Sequence, residues 1–278
     1  MSPDHLTEHY GKAIQPCPDC GNEFESPLYM GKAVAKFCTD CRSARSRAFE
    51  LERVETHLRS LANKRREWAE SPVGIPIKYR GLTWDDFRYD HGGENNRQKV
   101  AAFRHWANSF PTDQRPLGVE SLLITRDVNG VGKTMLACLI LQDLINRFEE
   151  LGRERSPFQF WAVKDVKMRV NAARRFGSQE TEEQVYADLT TIPLLILDDV
   201  GKEKMTGYEA ADDYEMYFTL INKRYNNQLP VILTTNLTYE PWVPGGASLI
   251  DLIGRAGVSR LMEMTGGIDY IIEGEDRR

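Results

Sequence analysis

A contiguous segment near the middle of the chain limits its fold more than any other. Residues 121–125, Ser-Leu-Leu-Ile-Thr, read as a short buried strand that runs into Arg126-Asp-Val-Asn-Gly-Val-Gly-Lys-Thr134 and then into an apolar helix through Leu141. Strand, glycine-containing loop, Lys-Thr and helix, in that order, make a P-loop. Gly130 and Gly132 let backbone amides converge on phosphate oxygens, Lys133 reaches the β and γ phosphates, and Thr134 offers its hydroxyl to Mg²⁺. The expected ligand is ATP, held by Gly130, Val131, Gly132, Lys133, Thr134 and Met135. Asp127 stands where the pattern GxxxxGK[ST] has its first glycine. Aspartate tolerates unusual backbone angles, but its carboxylate beside bound phosphates should weaken binding and slow turnover.

Two further strands extend the sheet. Residues 192–197, Ile-Pro-Leu-Leu-Ile-Leu, form a continuous apolar run that ends in Asp198-Asp199. Such a run signals a strand buried on both faces, as in a parallel sheet covered by helices, and ligands bind at the C-terminal edge of such sheets. Asp198 would hold Mg²⁺, directly or through water, and Asp199 would polarise the attacking water. The alternative is an acidic strand end in a turn. Residues 230–235, Pro-Val-Ile-Leu-Thr-Thr, lead to Asn236, whose amide at a strand tip can touch both the γ-phosphate and that water. A turn-forming asparagine is the competing reading.

The first part of the chain is of another kind. Cys17-Pro-Asp-Cys20 and Cys38-Thr-Asp-Cys41 are two CxxC pairs. Each lets a tight turn aim two thiolates at one point, and together they complete the tetrahedral shell that Zn²⁺ prefers. Redox thiols are the competing reading. Four protein ligands leave no open position, so this metal is structural. From Arg42 the pattern turns helical. Leu51, Val54, Leu58 and Leu61 make a narrow apolar seam, read as packing, and Arg53, Arg59, Lys64, Arg65 and Arg66 lie elsewhere on the surface. Residues 71–76, Ser-Pro-Val-Gly-Ile-Pro, stop that helix, which places a domain boundary between 71 and 72.

Hydrophobic residues make up 41% of the 278, enough to bury a sizeable core, which excludes a disordered chain. A net charge of −5 excludes a uniformly basic nucleic-acid coat. Residues 42–66 nevertheless hold eight basic side chains against three acidic ones, so any nucleic-acid contact must be local. No apolar run approaches the roughly 18 residues needed to cross a bilayer. Residues 1–10 also lack a signal peptide's apolar stretch, so no membrane contact and a cytoplasmic location are expected.

These stretches together resemble the DnaC/DnaI/IstB-like branch of the AAA+ ATPases, the bacterial and phage helicase loaders and their transposition relatives. The matching segments are residues 75–87, the P-loop, residues 194–201, residues 221–227 before Leu229-Pro230, and Thr234-Thr-Asn236. The resemblance covers residues 72–278. It implies an α/β fold, an αβα sandwich on a parallel sheet, that self-assembles and hydrolyses ATP to act on a partner and on DNA. The DnaI-type loaders are also similar in joining a small zinc-bearing, helicase-contacting N-terminal domain, here residues 1–71, to that core. In family terms Asn236 takes the sensor 1 role. Residues 251–262 look like the arginine-finger region, in which one subunit's arginine reaches the neighbour's γ-phosphate. Arg260, in its Ser-Arg-Leu frame, is the expected finger and Arg255 the second candidate. The chain ends soon after Ile271-Ile272, which leaves no room for a C-terminal helical lid.

The expectation is therefore an ATP-dependent loader that binds a DnaB-type hexameric replicative helicase and delivers it onto single-stranded DNA, in a bacterial cell or a phage-infected host. An IstB-like transposition helper and a non-hydrolysing nucleotide-dependent adaptor are the alternatives. In residues 163–176, Val163, Val166, Val170 and Ala173 form a helical apolar face that leaves Lys167, Arg174 and Arg175 available to DNA phosphates. A solvated basic helix without a ligand is the other reading of that stripe.

Overall fold

The computed structural model describes residues 11–88, 93–112, 114–126, 128–150, 152–201, 208–241 and 246–275, so Asp127 lies outside the described residues. The chain divides into two compact units, Met1–Ala62 and Asn63–Arg278.

The first unit opens with the antiparallel strands β1 (Lys12–Pro16), β2 (Glu23–Tyr29) and β3 (Lys32–Ala33), in which Ile14 pairs with Glu25 and Leu28 with Ala33. The first CxxC pair lies in the turn between β1 and β2. The second straddles the start of α1 (Thr39–Glu70), so helix and hairpin meet at the cysteines. The α1 seam departs from its expected packing role: Leu51 is 64%, Val54 48% and Leu58 58% exposed, and only Leu61 is buried. Periodicity correctly set these residues on one helical face, but nothing in periodicity says whether another element covers that face.

Residues 71–74 end α1 as the proline and glycine there predict. The Ile75 amide donates back to Ala69 O over 2.8 Å, and a Cβ on Gly74 would collide with the Trp68 carbonyl. The compact units nevertheless divide upstream of the 71/72 boundary, inside α1. The last turns of α1 belong to the core of the second unit. Trp68 is 3% exposed with its ring 4.6 Å from that of Phe148, and Arg65 Nε donates to Phe148 O at 3.0 Å.

The second unit is a five-stranded sheet in the order β5 (Phe158–Ala162), β6 (Leu194–Val200), β7 (Val231–Thr235), β4 (Leu122–Thr125), β8 (Tyr270–Ile271), and every pairing is parallel. The inner strands β4, β6 and β7 are buried along almost their whole length because each is covered on both faces. Leu122, Ile124, Leu194, Ile196 and Ile232 point into one core with α2 (Gly93–Ser109) and α3 (Lys133–Arg147). The residues between them, Leu123, Leu195, Leu197, Val231 and Leu233, point into the other, with α4 (Val163–Ala173), α5 (Glu182–Thr191), α6 (Tyr208–Asn226) and α7 (Leu249–Met264). This period-two division between two helical layers is the expected αβα sandwich. Each fully buried aliphatic side chain contributes about 1.5–3 kcal/mol to the sandwich. Cys138 is one of the buried apolar residues of α3, as a small hydrophobe should be, and burial pushes its thiol above the usual range.

One buried cation braces the outer layer. Arg224 of α6 donates to the carbonyl oxygens of Leu189, Ile192, Pro193 and Pro230, which joins the end of α5 to the approach to β7. Burial pushes its pKa down to about 9, still above neutral, so the fully buried guanidinium stays a cation shared among four carbonyls. Among the described residues no helix is long and apolar enough to cross a membrane.

Candidate functional site

The sheet order decides what gathers at its C-terminal edge. Because β7 lies between β4 and β6, the loop after β4, the acidic end of β6 and the tip of β7 all reach the same place. Buried threonines knit these ends together. Thr125 Oγ1 donates to Leu237 O at 2.5 Å, and Thr235 Oγ1 to Val200 O at 2.7 Å.

A cleft of about 430 Å³ opens there, lined by residues 129–135 and by Asp199. Gly132 caps the N-terminus of α3 at φ +100°, where a side chain would also strike the Phe87 ring, so the position requires glycine. That helix end points its free amides and positive dipole end at the cleft, which suits a polyphosphate. Lys133 is 7% exposed, and its Nζ donates to Arg126 O at 3.2 Å and Val128 O at 2.9 Å, so its ammonium follows the loop it belongs to.

Thr134 and Asp198 meet as expected: Thr134 Oγ1 donates to Asp198 Oδ1 at 2.8 Å. A hydroxyl and a carboxylate oxygen side by side are hard donors of the sort Mg²⁺ takes, so the pair fits that ion. Asp199, half-buried, borders the cleft directly. Asn236 donates from Nδ2 to Asn129 Oδ1 at 3.1 Å and so stands beside the loop.

Sequence reasoning assigned no role to the opposite wall. Lys78, Tyr79, Leu82, Asp86, Phe87 and Arg88 line it from the segment between α1 and α2. The segment is held by Trp84, whose Nε1 donates to Asp143 Oδ2 of α3 at 2.6 Å. Three aromatic residues spaced through residues 79–87 were the available signal, though nothing in that spacing says which structure they face.

In the first unit, Cys17, Cys20, Cys38 and Cys41 place their sulfur atoms all within 4.8 Å of one another. The Cys38 amide donates to Cys17 Sγ at 3.4 Å and the Cys41 amide to Cys38 Sγ at 3.5 Å. Burial opposes ionisation of Cys17, but the amides of Cys38, Cys20 and Asp19 outweigh it and hold the thiol down at about 6. Four converging sulfurs with amide donors aimed at them fit Zn²⁺. Arg45 braces the cluster from α1, with Nη2 donating to Asp19 Oδ1 at 2.6 Å and its guanidinium 4.2 Å from the Phe37 ring centre.

Residues 119–251 match the family model described as IstB-like ATP binding protein. This stretch is similar to an IstB-like ATP-binding domain. Among solved structures, the DnaC helicase loader is 22% identical with a TM-score of 0.52, covering 71% of this chain and 98% of that one. DnaI is 16% identical with a TM-score of 0.50, over 73% of this chain and 94% of that one. The replication initiator DnaA bound to AMPPCP and single-stranded DNA is 20% identical with a TM-score of 0.50, over 72% and 51%. At these identities the likeness establishes the fold, an AAA+ P-loop sandwich. No curated protein matches the chain in a sequence comparison.

Neither finger candidate lines the cleft. Arg260 is half-buried on α7, 5.3 Å from the Phe218 ring centre and 5.9 Å from that of Tyr225, and Arg255 is exposed. The basic stripe on α4 needs a larger correction. Val163, Val166 and Val170 are buried as expected, but Lys167 pairs with Asp213 at 2.7 Å, and Arg174 pairs with Glu182 at 2.6 Å and Asp212 at 3.3 Å. Two of the three cations expected to meet DNA phosphates are therefore engaged by acids of α5 and α6, although Arg174, like Arg175, remains exposed.

Proposed function

We propose that this chain is an ATP-hydrolysing helicase loader, which binds a DnaB-type hexameric helicase and delivers it onto single-stranded DNA during replication. The observation that carries the hydrolytic part is the convergence of Thr134 at the start of α3 with Asp198 and Asp199 of β6 and Asn236 just past β7. Lys133 and the amides of residues 130–135 bind the phosphates. Thr134 and Asp198 would hold Mg²⁺, which when bound offsets charge on the β and γ phosphates. Asp199 takes the proton of the attacking water, and Asn236 orients that water against the γ-phosphate. In an assembly of copies Arg260 supplies a positive charge to the neighbour's γ-phosphate. Turnover is slow, since Asp127 repels the phosphates.

The loader assignment is supported by the joining of a four-cysteine module, through α1, to a core shaped like DnaC and DnaI. In this reading residues 1–71 hold the helicase and residues 72–278 form the ATPase core that self-assembles and touches single-stranded DNA. The work is done in the cytoplasm of a bacterium or a phage-infected host. A transposition helper is the second reading, favoured by the IstB description of the matching family model. Size-exclusion chromatography of the full chain with a DnaB-type hexamer and, separately, with a transposase decides between them. ATP-dependent co-elution with the hexamer and transfer of that hexamer onto single-stranded circles is the expected result. Co-elution with the transposase alone would overturn the loader reading.

A further inference from the structure

Thr234 stands where the two acidic residues of β6 meet β7. The register pairs Leu197 with Leu233 and Val200 with Thr235, so Asp198 and Asp199 together oppose Thr234. The extra residue is a bulge, a device that re-aims a side chain beside a site. At this bulge Asp199 adopts φ +61°, a left-handed backbone that is uncommon for a residue with a Cβ and persists only where its surroundings enforce it.

One hydroxyl supplies that enforcement. Thr234 is 1% exposed, and its Oγ1 donates to Asp198 Oδ1 at 2.5 Å while accepting the Asp199 amide hydrogen at 3.0 Å. A hydroxyl has one hydrogen and two lone pairs, so it makes both bonds at once. Asp198 Oδ1 also accepts from Thr134, so the carboxylate oxygen is fixed from α3 on one side and β7 on the other. Thr125 and Thr235, the neighbouring buried threonines, donate instead to backbone carbonyls.

We propose that Thr234 is a positioning residue for both acidic groups of the nucleotide site. It orients the Asp198 carboxylate toward the cation position, and it holds the bulge that turns Asp199 into the cleft. The proposal rests on the hydrolytic reading above and adds to it a buried residue that acts through the two aspartates it bonds. Without the hydroxyl, Asp198 loses a donor in a buried setting and the Asp199 amide loses the acceptor that holds it at the bulge. The phosphate-binding loop is untouched, so the cation response and turnover should fail while nucleotide binding without the cation persists.

The test uses the full chain with Thr234→Val, which keeps the shape, and Thr234→Ser, which keeps the hydroxyl. Affinity for a fluorescent ATP analogue is measured in EDTA and across a Mg²⁺ titration, beside steady-state ATP turnover. Thr234→Val is expected to bind in EDTA within about 2-fold of wild type and to need roughly 10-fold more Mg²⁺ for its half-maximal gain in affinity. Its kcat should fall about 10- to 100-fold with KM little changed, and Thr234→Ser should stay within about 3-fold of wild type. Wild-type behaviour of Thr234→Val, an equal loss in Thr234→Ser, or a parallel loss of affinity in EDTA each overturns the proposal. So does a wild-type affinity indifferent to Mg²⁺, which would leave no cation for Asp198 to receive. A wild-type chain that binds with Mg²⁺ but never turns over would sink the hydrolytic reading alone, since the Mg²⁺ titration still decides the role of Thr234. Should Thr234→Val not fold, Thr234→Ala carries the same expectations.

Discussion

Asn236 donates its side-chain amide to the Asn129 side-chain oxygen across 3.1 Å, which ties the tip of β7 to the P-loop. Asn129 lines the cleft, and Asn236 approaches it from just past the end of β7. Asn236→Ala should lower turnover about 10- to 100-fold and leave ATP affinity within about 3-fold, as expected of a group that acts on the transition state. Asn129→Ala should cost less turnover. Equal losses of affinity in both variants would assign the pair to ground-state binding.

Lys133 and Asp199 should separate binding from chemistry. Lys133→Ala should abolish ATP binding, because the loop loses its phosphate cation. Asp199→Asn should bind normally and stop turnover, since the amide cannot take a proton from water. The check is equilibrium binding beside single-turnover hydrolysis, and comparable affinity losses in the two variants would contradict the assigned roles.

The cysteine cluster predicts a metal count. Protein purified without chelator should contain one zinc per chain, and Cys38→Ser or Cys41→Ser should remove it, abolish partner binding and spare nucleotide binding. Metal binding at such sites is coupled to local folding, so chelation should disorder residues 17–41 and leave the second unit's melting unchanged. Elemental analysis showing no zinc would falsify the assignment.

Lys167 should matter for stability more than for DNA. Asp213 is 4% exposed, and Lys167→Ala leaves its carboxylate without its ion-pair partner. A loss of about 2–3 kcal/mol is expected, seen as a fall in Tm of roughly 5–10 °C. Single-stranded DNA affinity and its salt slope should hold for Lys167→Ala below its melting range and change with Arg175→Ala. A flatter salt slope in Lys167→Ala would show that the ion pair opens on DNA.

Arg260 lies over the Phe218 and Tyr225 rings of its own subunit, so a role across an interface requires it to leave that shelf. Arg260→Ala should keep the ATP affinity of the monomer while losing the rise of specific turnover with protein concentration. Mixing it with Lys133→Ala should restore part of that activity through complementary interfaces. Normal concentration dependence in Arg260→Ala would move the assignment to Arg255.

The sequence by itself determined what is carried by contiguous residues. Residues 121–141 had to form strand, loop and helix, because glycine angles, a lysine and a hydroxyl at fixed spacing serve one ligand. Asp198 and Asp199 stood out as candidates because two carboxylates close an otherwise apolar, doubly buried strand at the edge where such sheets bind ligands. The two CxxC pairs each declared a half-site through local turn geometry. Tertiary structure alone decided the groups that meet across long separations. Thr234 reads as one more residue of an apolar strand until β7 is inserted beside β6 and the bulge brings its hydroxyl to both aspartates. Lys167 reads as a free cation until α6 brings Asp213 against it, and the α1 seam reads as packing although three of its four positions stay exposed. The physical reason is shared: periodicity fixes which way a side chain leaves its own element, whereas its partner is set by how separate elements pack.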